Sequence, residues 1–297
     1  MRLIDSHAHL QAGAFAADLP DVLAAARKAG VERLLVPGWD AGSSAAAVRL
    51  AEEWGIDAAV GIHPHDATVA TDADWTVVVR LAADPRVVAI GETGLDFDRM
   101  HSPPEAQLAN LRRHLRLALD SGKPAILHCR SAVGACDAQD ALIAELRAAG
   151  FGGVAARGAF GDRPPAVLHS FSGSVDYAAG VLVMGLAIAF GGLVFRNGEE
   201  ASADVARLVP AERLLIETDS PYLAPPGVPL GTVPGFSGRR NSPMWVRLTG
   251  EWLAEQRGET LDTIGADLVA AYDATFRGHS QGWRTSVEFV MGSGYPP

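Results

Sequence analysis

Four histidines, a glutamate and an aspartate stand in turn where short apolar runs of this chain end. His7 and His9 close the run Leu3-Ile4-Asp5-Ser6-His7-Ala8-His9. Glu92 follows Ile90-Gly91, and His128 ends Ile126-Leu127-His128. His169 ends Val167-Leu168-His169, and Asp219 ends Leu215-Ile216-Glu217-Thr218-Asp219. Imidazoles and carboxylates are ligands for divalent cations. Residues two apart on a strand project the same way, so His7 and His9 can share one ion. A carboxylate has two oxygens, so Glu92 can bridge two ions where a ring nitrogen cannot. The set suits two divalent ions close together, with zinc, magnesium and manganese all open. A water between two such ions is acidic enough to supply hydroxide near neutral pH, and Asp219 can take its proton as general base.

Each residue also has an ordinary reading. His7 and His9 taken alone are equally well polar loop residues, Glu92 a loop or cap carboxylate, and His128 or His169 a hydrogen-bonded core residue. Their recurrence at successive strand ends favours the ligand reading. His63 and His65 flank Pro64, which stiffens the turn. They read as substrate contacts, donors to a phosphate or carbonyl oxygen, with a loop-structural role as the alternative. Arg130, Arg196 and the pair Arg239-Arg240 fall near expected loops, and arginine makes the planar contacts that suit phosphate. For Arg240 and Asn241, anion binding, orientation of Asp219 and loop capping all stay open. Cys129 follows His128 directly and points to the other side of its strand, so it is not expected to be a ligand.

Parallel strands with their C-terminal ends on one face would bring these residues together. Apolar strand-like runs lie at 2–5, 33–36, 58–61, 87–90, 125–128, 166–169, 186–190 and 214–217. Helical patterns lie between them, at 18–29, 43–54, 104–121, 133–149, 174–184 and 201–209, several of them stopped by a glycine. Eight alternating strands predict an α/β fold, a (β/α)8 TIM barrel with its polar strand ends on one face. Two closing helices follow at 242–256 and 260–276. The Pro- and Gly-rich stretch 224–237 reads as a loop on the active face. The whole chain, 1–297, is expected to form one barrel domain, with a tail from about 277.

The 297 residues are 48% hydrophobic and 20% charged, an ordinary globular balance. No apolar stretch approaches the ~20 residues of a membrane span, and the first residues do not read as a signal peptide. Two cysteines are too few for a disulfide framework, which suggests a reducing, cytoplasmic setting. A net charge of −10 argues against a basic face that grips duplex DNA along its length, although bound cations would add positive charge locally.

The ordered motifs resemble those of the TatD-type metal-dependent hydrolases, in the amidohydrolase-like barrel superfamily. They are Asp5-Ser6-His7-Ala8-His9-Leu10, Gly61-Ile62-His63-Pro64-His65, Gly91-Glu92-Thr93-Gly94-Leu95-Asp96 and Ile126-Leu127-His128-Cys129-Arg130. His169-Ser170-Phe171-Ser172-Gly173, Glu217-Thr218-Asp219-Ser220-Pro221-Tyr222-Leu223 and Arg240-Asn241-Ser242-Pro243 complete them. The resemblance implies that one metal is held by His7, His9 and Asp219 and the other by His128 and His169, with Glu92 bridging. It further implies phosphodiester hydrolysis, typically of DNA. A related subgroup bridges its metals with a carbamylated lysine, but this chain has no lysine at the end of its fourth strand, where Glu92 stands instead. The 224–239 link is longer than the family's. The expected partner is therefore nucleic acid as substrate, as single strands or ends, acted on by a monomer. Hydrolysis of an ester or amide, such as an aminoacyl-tRNA bond, is the alternative, and a metal-binding scaffold without catalysis is the second.

Overall fold

The computed structural model describes residues 2–229 and 239–276. Within them eight strands form one sheet in sequence order: β1 (Leu3–Asp5), β2 (Val31–Pro37), β3 (Asp57–Val60), β4 (Val87–Asp96), β5 (Ala125–Arg130), β6 (Ala166–Leu168), β7 (Ala187–Phe190) and β8 (Leu214–Ile216). Every neighbouring pair from β1 to β8 is parallel. The ring closes just past the strand ends. The Ser6 N–H donates to the Ile216 carbonyl (3.1 Å), Asp219 N–H to His7 (2.8 Å) and His9 N–H to Ser220 (2.7 Å). This is the expected TIM barrel. Its strands are buried and apolar because helices cover the outside and side chains fill the inside.

Helices return the chain between strands: α1 (Leu19–Lys28), α2 (Ala41–Trp54), α3 (Asp72–Ala82), α4 (Pro104–Ser121), α5 (Asp137–Ala149), α6 (Val154–Phe160), α7 (Val175–Val183) and α8 (Ala201–Leu208). α9 (Val246–Arg257) and α10 (Leu261–Phe276) follow β8 and pack against β1 and β8. The glycine stops are real caps. Gly55, Gly122 and Gly150 adopt left-handed φ of 67°, 63° and 90° after α2, α4 and α5, where a glycine carries no Cβ penalty.

Three features depart from the sequence reading. α3 was absent from it, although Thr71 and Asp74 form a reciprocal capping box at its start. The stretch before β6 holds α6, bounded by Gly153 and Gly161. β4 runs on to Asp96 past a register shift between Ile90 and Thr93, so Glu92 lies inside a strand, not after one. Gly94 permits this course: at φ +140° a Cβ there would run into the His128 backbone. The expected tail from about 277 and most of the 224–239 loop fall outside the described residues.

α4 turns a polar stripe toward the ends of β3 and β4. Gln107, Asn110 and His114 are all buried. The Gln107 amide oxygen accepts the Asp96 N–H (2.7 Å) and its NH2 donates to the Asp96 carbonyl (2.9 Å). Asn110 donates to the Ile62 carbonyl (2.7 Å), and the Ile62 N–H donates to His114 Nε2 (3.0 Å). His114 Nδ1 donates to the Asn110 carbonyl (2.7 Å), so the neutral ring is fully used.

Burial lowers the His114 pKa to about 3 from 6.5. Between those values the unfolded chain binds a proton that the folded chain refuses. The ring's contribution is therefore whole above pH 6.5 and drains as pH falls toward 3. His114→Gln should lower the melting temperature at pH 7 yet flatten its fall between pH 6.5 and 4.5. Equal slopes in thermal melts of the two proteins would refute this.

Candidate metal centre

All six expected ligands meet at the C-terminal mouth of the barrel. His7 and His9 follow β1, Glu92 lies in β4, His128 in β5, His169 just after β6 and Asp219 after β8. Glu92 is the hub and is 3% exposed. Its Oε2 lies 3.2 Å from His7 Nε2 and 3.6 Å from His9 Nε2. Its Oε1 lies 2.8 Å from His169 Nε2, 3.2 Å from His128 Nδ1 and 3.3 Å from His63 Nε2. Oε2 thus lies nearest His7 and His9, and Oε1 nearest His169, His128 and His63. Asp219 Oδ1 completes the first group, 3.4 Å from His9 Nε2 and 3.8 Å from His7 Nε2.

The donor chemistry fits cations. His7 and His9 bring their Nε2 atoms to 3.2 Å of each other, and His128 Nδ1 lies 3.4 Å from His169 Nε2. Two unprotonated ring nitrogens facing each other repel unless a proton or a cation sits between them. Three overlapping sets have ligand atoms close enough to hold an ion: His7, His169 and Asp219; His7, His9 and Glu92; and His63, Glu92 and His128.

Charge in the cluster is distributed by burial and contact. Burial pushes the Glu92 carboxyl up, but His169, His63 and His7 outweigh that and hold it well below its ordinary range. Burial likewise opposes ionisation of Asp219, and the His9 hydrogen bond with the nearby rings overcomes it, so its pKa is lowered. His7 and His169 stack at 4.0 Å and cannot comfortably both be charged. Burial lowers His7. Burial also works against charge on His169, but Glu92 and Glu217 overcome it and raise its pKa well above normal.

The backbone holds Asp219 in place from two sides. It takes φ 55°, a left-handed conformation that Asp tolerates better than most residues. Buried Asp5 accepts hydrogen bonds from the Thr218 N–H (2.9 Å) and hydroxyl (2.7 Å) and from the His7 N–H (3.3 Å). One carboxylate therefore ties the His7 segment to the Asp219 segment. Burial drives its pKa up to about 8. Asn241 donates to the Thr218 carbonyl (2.8 Å) and so braces the same turn.

The expected substrate contacts divide. The His65 N–H donates to His63 Nδ1 (3.1 Å), which leaves the neutral His63 ring with its proton on Nε2. His63 therefore presents a donor to the centre, and its lone pair is not free for a cation. Burial lowers its pKa to about 4, keeping it neutral. His65 stands to one side, with Nε2 2.8 Å from Asp96 Oδ2. Arg130 lies two residues beyond His128 in β5, half-buried, where its charge bears on Glu199. Arg240 is committed elsewhere. Its terminal nitrogens donate to Asp18 at 2.7 and 2.6 Å and to the Ala14 carbonyl at 2.7 Å, over the Phe15 ring. Of the readings open for Arg240, these contacts are those of a loop clamp, with the guanidinium paired to Asp18.

Sequence reasoning left Glu217 and Asp96 without roles, and both are wholly buried here. Glu217 Oε1 lies 3.1 Å from His169 Nδ1, and Asp96 Oδ2 lies 3.3 Å from His128 Nε2. The available signal was that each is close in sequence to another candidate ligand, Glu217 to Asp219 and Asp96 to Glu92. Tyr222 and Trp39 stand edge-on to His9, and Tyr222 is half exposed at the mouth.

Comparison with known proteins agrees with the motifs. The model of the TatD related DNase family matches residues 4–277. The chain is 36% identical over 279 residues to the 3'-5' ssDNA/RNA exonuclease TatD of Escherichia coli, covering 93% of this chain and 97% of that protein. It is 34% identical over 276 residues to the uncharacterized metal-dependent hydrolase YabD of Bacillus subtilis, covering 93% and 99%. The crystal structure of YJJV, a TatD homolog from Escherichia coli, superposes with a TM-score of 0.78 at 29% identity, covering 93% of this chain and 98% of the other. Among the described residues no helix is long and apolar enough to cross a membrane.

Proposed function

The chain belongs to the TatD-related DNase family, and on that premise we propose that it hydrolyses phosphodiester bonds at the ends of single-stranded nucleic acid, with a pair of divalent cations bridged by Glu92. The observation that carries this reading is the division of labour at Glu92, whose Oε2 faces His7 and His9 while its Oε1 faces His128 and His169. His7, His9 and Asp219 would hold one ion, and His128 and His169 the other. Two such ions, when bound, supply Lewis acidity and an acidified water.

The chain's own groups do the rest. The Asp219 carboxylate, kept ionised by its histidine neighbours, accepts the proton of the attacking water. His63 Nε2–H, pointing at the hub, donates to a phosphoryl oxygen of the substrate. His65, whose ring lies 4.3 Å from that of His63, and Arg130 at the end of β5 are the further candidates for substrate contact. The net charge of −10 fits a substrate drawn to a local cationic centre better than one gripped along a duplex. The family match over 4–277 supports one barrel domain that includes the two closing helices.

The test is a substrate panel. Metal-loaded protein is offered linear single-stranded DNA, circular single-stranded DNA, a nitrophenyl phosphodiester, a carboxylic ester series and an aminoacyl-tRNA. The expected order puts linear single strands first, circles far behind, and all activity lost to a chelator. Turnover of the esters or the aminoacyl bond with intact DNA would reject the reading in favour of carbonyl chemistry.

A further inference from the structure

We infer that Glu217 and Asp96 are positioning residues that select which ring nitrogen His169 and His128 offer to the second cation, so that this half of the centre is pre-formed and binds its ion more tightly. The inference rests on the two-cation reading above.

A neutral imidazole carries one N–H and one lone pair, and only the lone pair can ligate. An ionised carboxylate can only accept. With its Oε1 against His169 Nδ1 (3.1 Å), Glu217 puts the proton on Nδ1 and leaves the lone pair on Nε2. That nitrogen faces Glu92 Oε1 at 2.8 Å. Asp96 does the reverse to His128. Its Oδ2 lies against Nε2 (3.3 Å), which leaves the lone pair on Nδ1, 3.2 Å from the same Glu92 oxygen. The two rings use opposite nitrogens and converge on one point.

Both carboxylates are themselves held. Glu217 Oε1 also accepts the Ser170 N–H (2.6 Å), while its Oε2 is buried with no hydrogen-bond partner among the described residues. Asp96 Oδ1 accepts the N–H groups of Asp98 (3.1 Å) and Arg99 (2.8 Å), and its own backbone is bonded to the Gln107 amide. A wholly buried carboxylate is costly unless its bonds compensate it. Here two of them are each aimed at the rear nitrogen of a ligand ring, the arrangement that fixes ring orientation in metal sites. The other half differs. Nδ1 of His7 and Nδ1 of His9 are buried without a hydrogen-bond partner among the described residues, so no carboxylate sets their tautomers.

The experiment compares wild type with Glu217→Ala, Glu217→Gln, His169→Ala and the double variant Glu217→Ala/His169→Ala. Manganese and zinc are titrated by calorimetry, bound metal is counted per chain, and melting temperature is recorded alongside. Wild type should bind two ions in two affinity classes. Glu217→Ala should weaken the tighter class by about 10–100-fold, the usual effect of losing such a partner, and leave the weaker class unchanged. Glu217→Gln, whose amide oxygen still accepts from Nδ1–H, should lose less. The double variant should bind no worse than His169→Ala, since Glu217 acts only through that ring.

A Glu217→Ala protein that melts earlier but keeps both affinities would make Glu217 a barrel brace and overturn the inference. So would additive losses in the double variant. If Glu217→Ala does not fold, Glu217→Met, which keeps the bulk but cannot accept from Nδ1–H, decides: weakening of one class supports the inference, and no change overturns it. A single ion per wild-type chain would instead defeat the two-cation reading, and the inference would fall with it only if Glu217→Ala left that ion's affinity unchanged.

Discussion

Glu92→Ala is expected to lower occupancy of both cation positions, whereas His169→Ala lowers chiefly one. The reason lies in the reach of each side chain. Among the described residues, Glu92 is the only one whose two oxygens approach both groups of rings, at 3.2 Å from His7 and 2.8 Å from His169. His169 offers a single nitrogen to the centre, with Nε2 2.8 Å from Oε1 of that carboxylate. Turnover by Glu92→Ala should fall by more than about 10²–10³-fold, the loss seen when one preorganised electrostatic group is removed from an active site. Metal-to-protein ratios after gel filtration separate the two variants, with circular dichroism as the check on folding. Equal losses in both, with the fold intact, would contradict the bridging role.

Asp219→Asn should cut kcat by about 10²–10⁴-fold, the usual weight of a general base, with a much smaller change in KM. The amide keeps the shape but cannot accept a proton from water at neutral pH. In the wild type, burial opposes the charge on Asp219 while His9, His7 and His169 favour it, and the balance leaves its pKa below normal. Asparagine also binds cations less well, so the measurement needs metal in excess. Loss confined to the transition state appears in kcat, and loss of uniform binding in KM. A metal-saturated variant with near-normal kcat would reduce Asp219 to a ligand at most and move the base to another group, with His63 and His65 the nearest alternatives.

The barrel and the convergence of the six candidate residues were legible because both are written in local patterns. A parallel strand buried on both faces is a short unbroken apolar run, and the first, fourth, fifth, sixth and eighth of these runs lead into a residue able to bind metal. α3 carries the run Thr76-Val77-Val78-Val79, whose β-branched side chains disfavour a helix, although the capping pair Thr71 and Asp74 marks a helix start. α6 is only seven residues long and begins and ends at glycine. β4 appeared to stop at Gly91 because glycine usually breaks a strand, while here Gly91 and Gly94 let it pass close to β5.

What stayed hidden was long-range. Nothing near Arg240 in the chain points to Asp18, 222 positions away. The Asp5–Thr218 staple spans 213 positions. The tautomer of His63 is set by the N–H of His65, whose presence was plain but whose direction was not. Glu217 was quoted only as a neighbour of Asp219, since periodicity cannot reveal a carboxylate aimed at the back of a ring on another strand.

The most direct test of the central claim is anomalous diffraction from crystals soaked in manganese. Two peaks are expected. One should lie among His7 Nε2, His9 Nε2 and Asp219, and the other between His128 Nδ1 and His169 Nε2, each within coordination distance of a different oxygen of Glu92. A single peak at saturating manganese, or two peaks of which Glu92 touches only one, would contradict the bridged dinuclear centre.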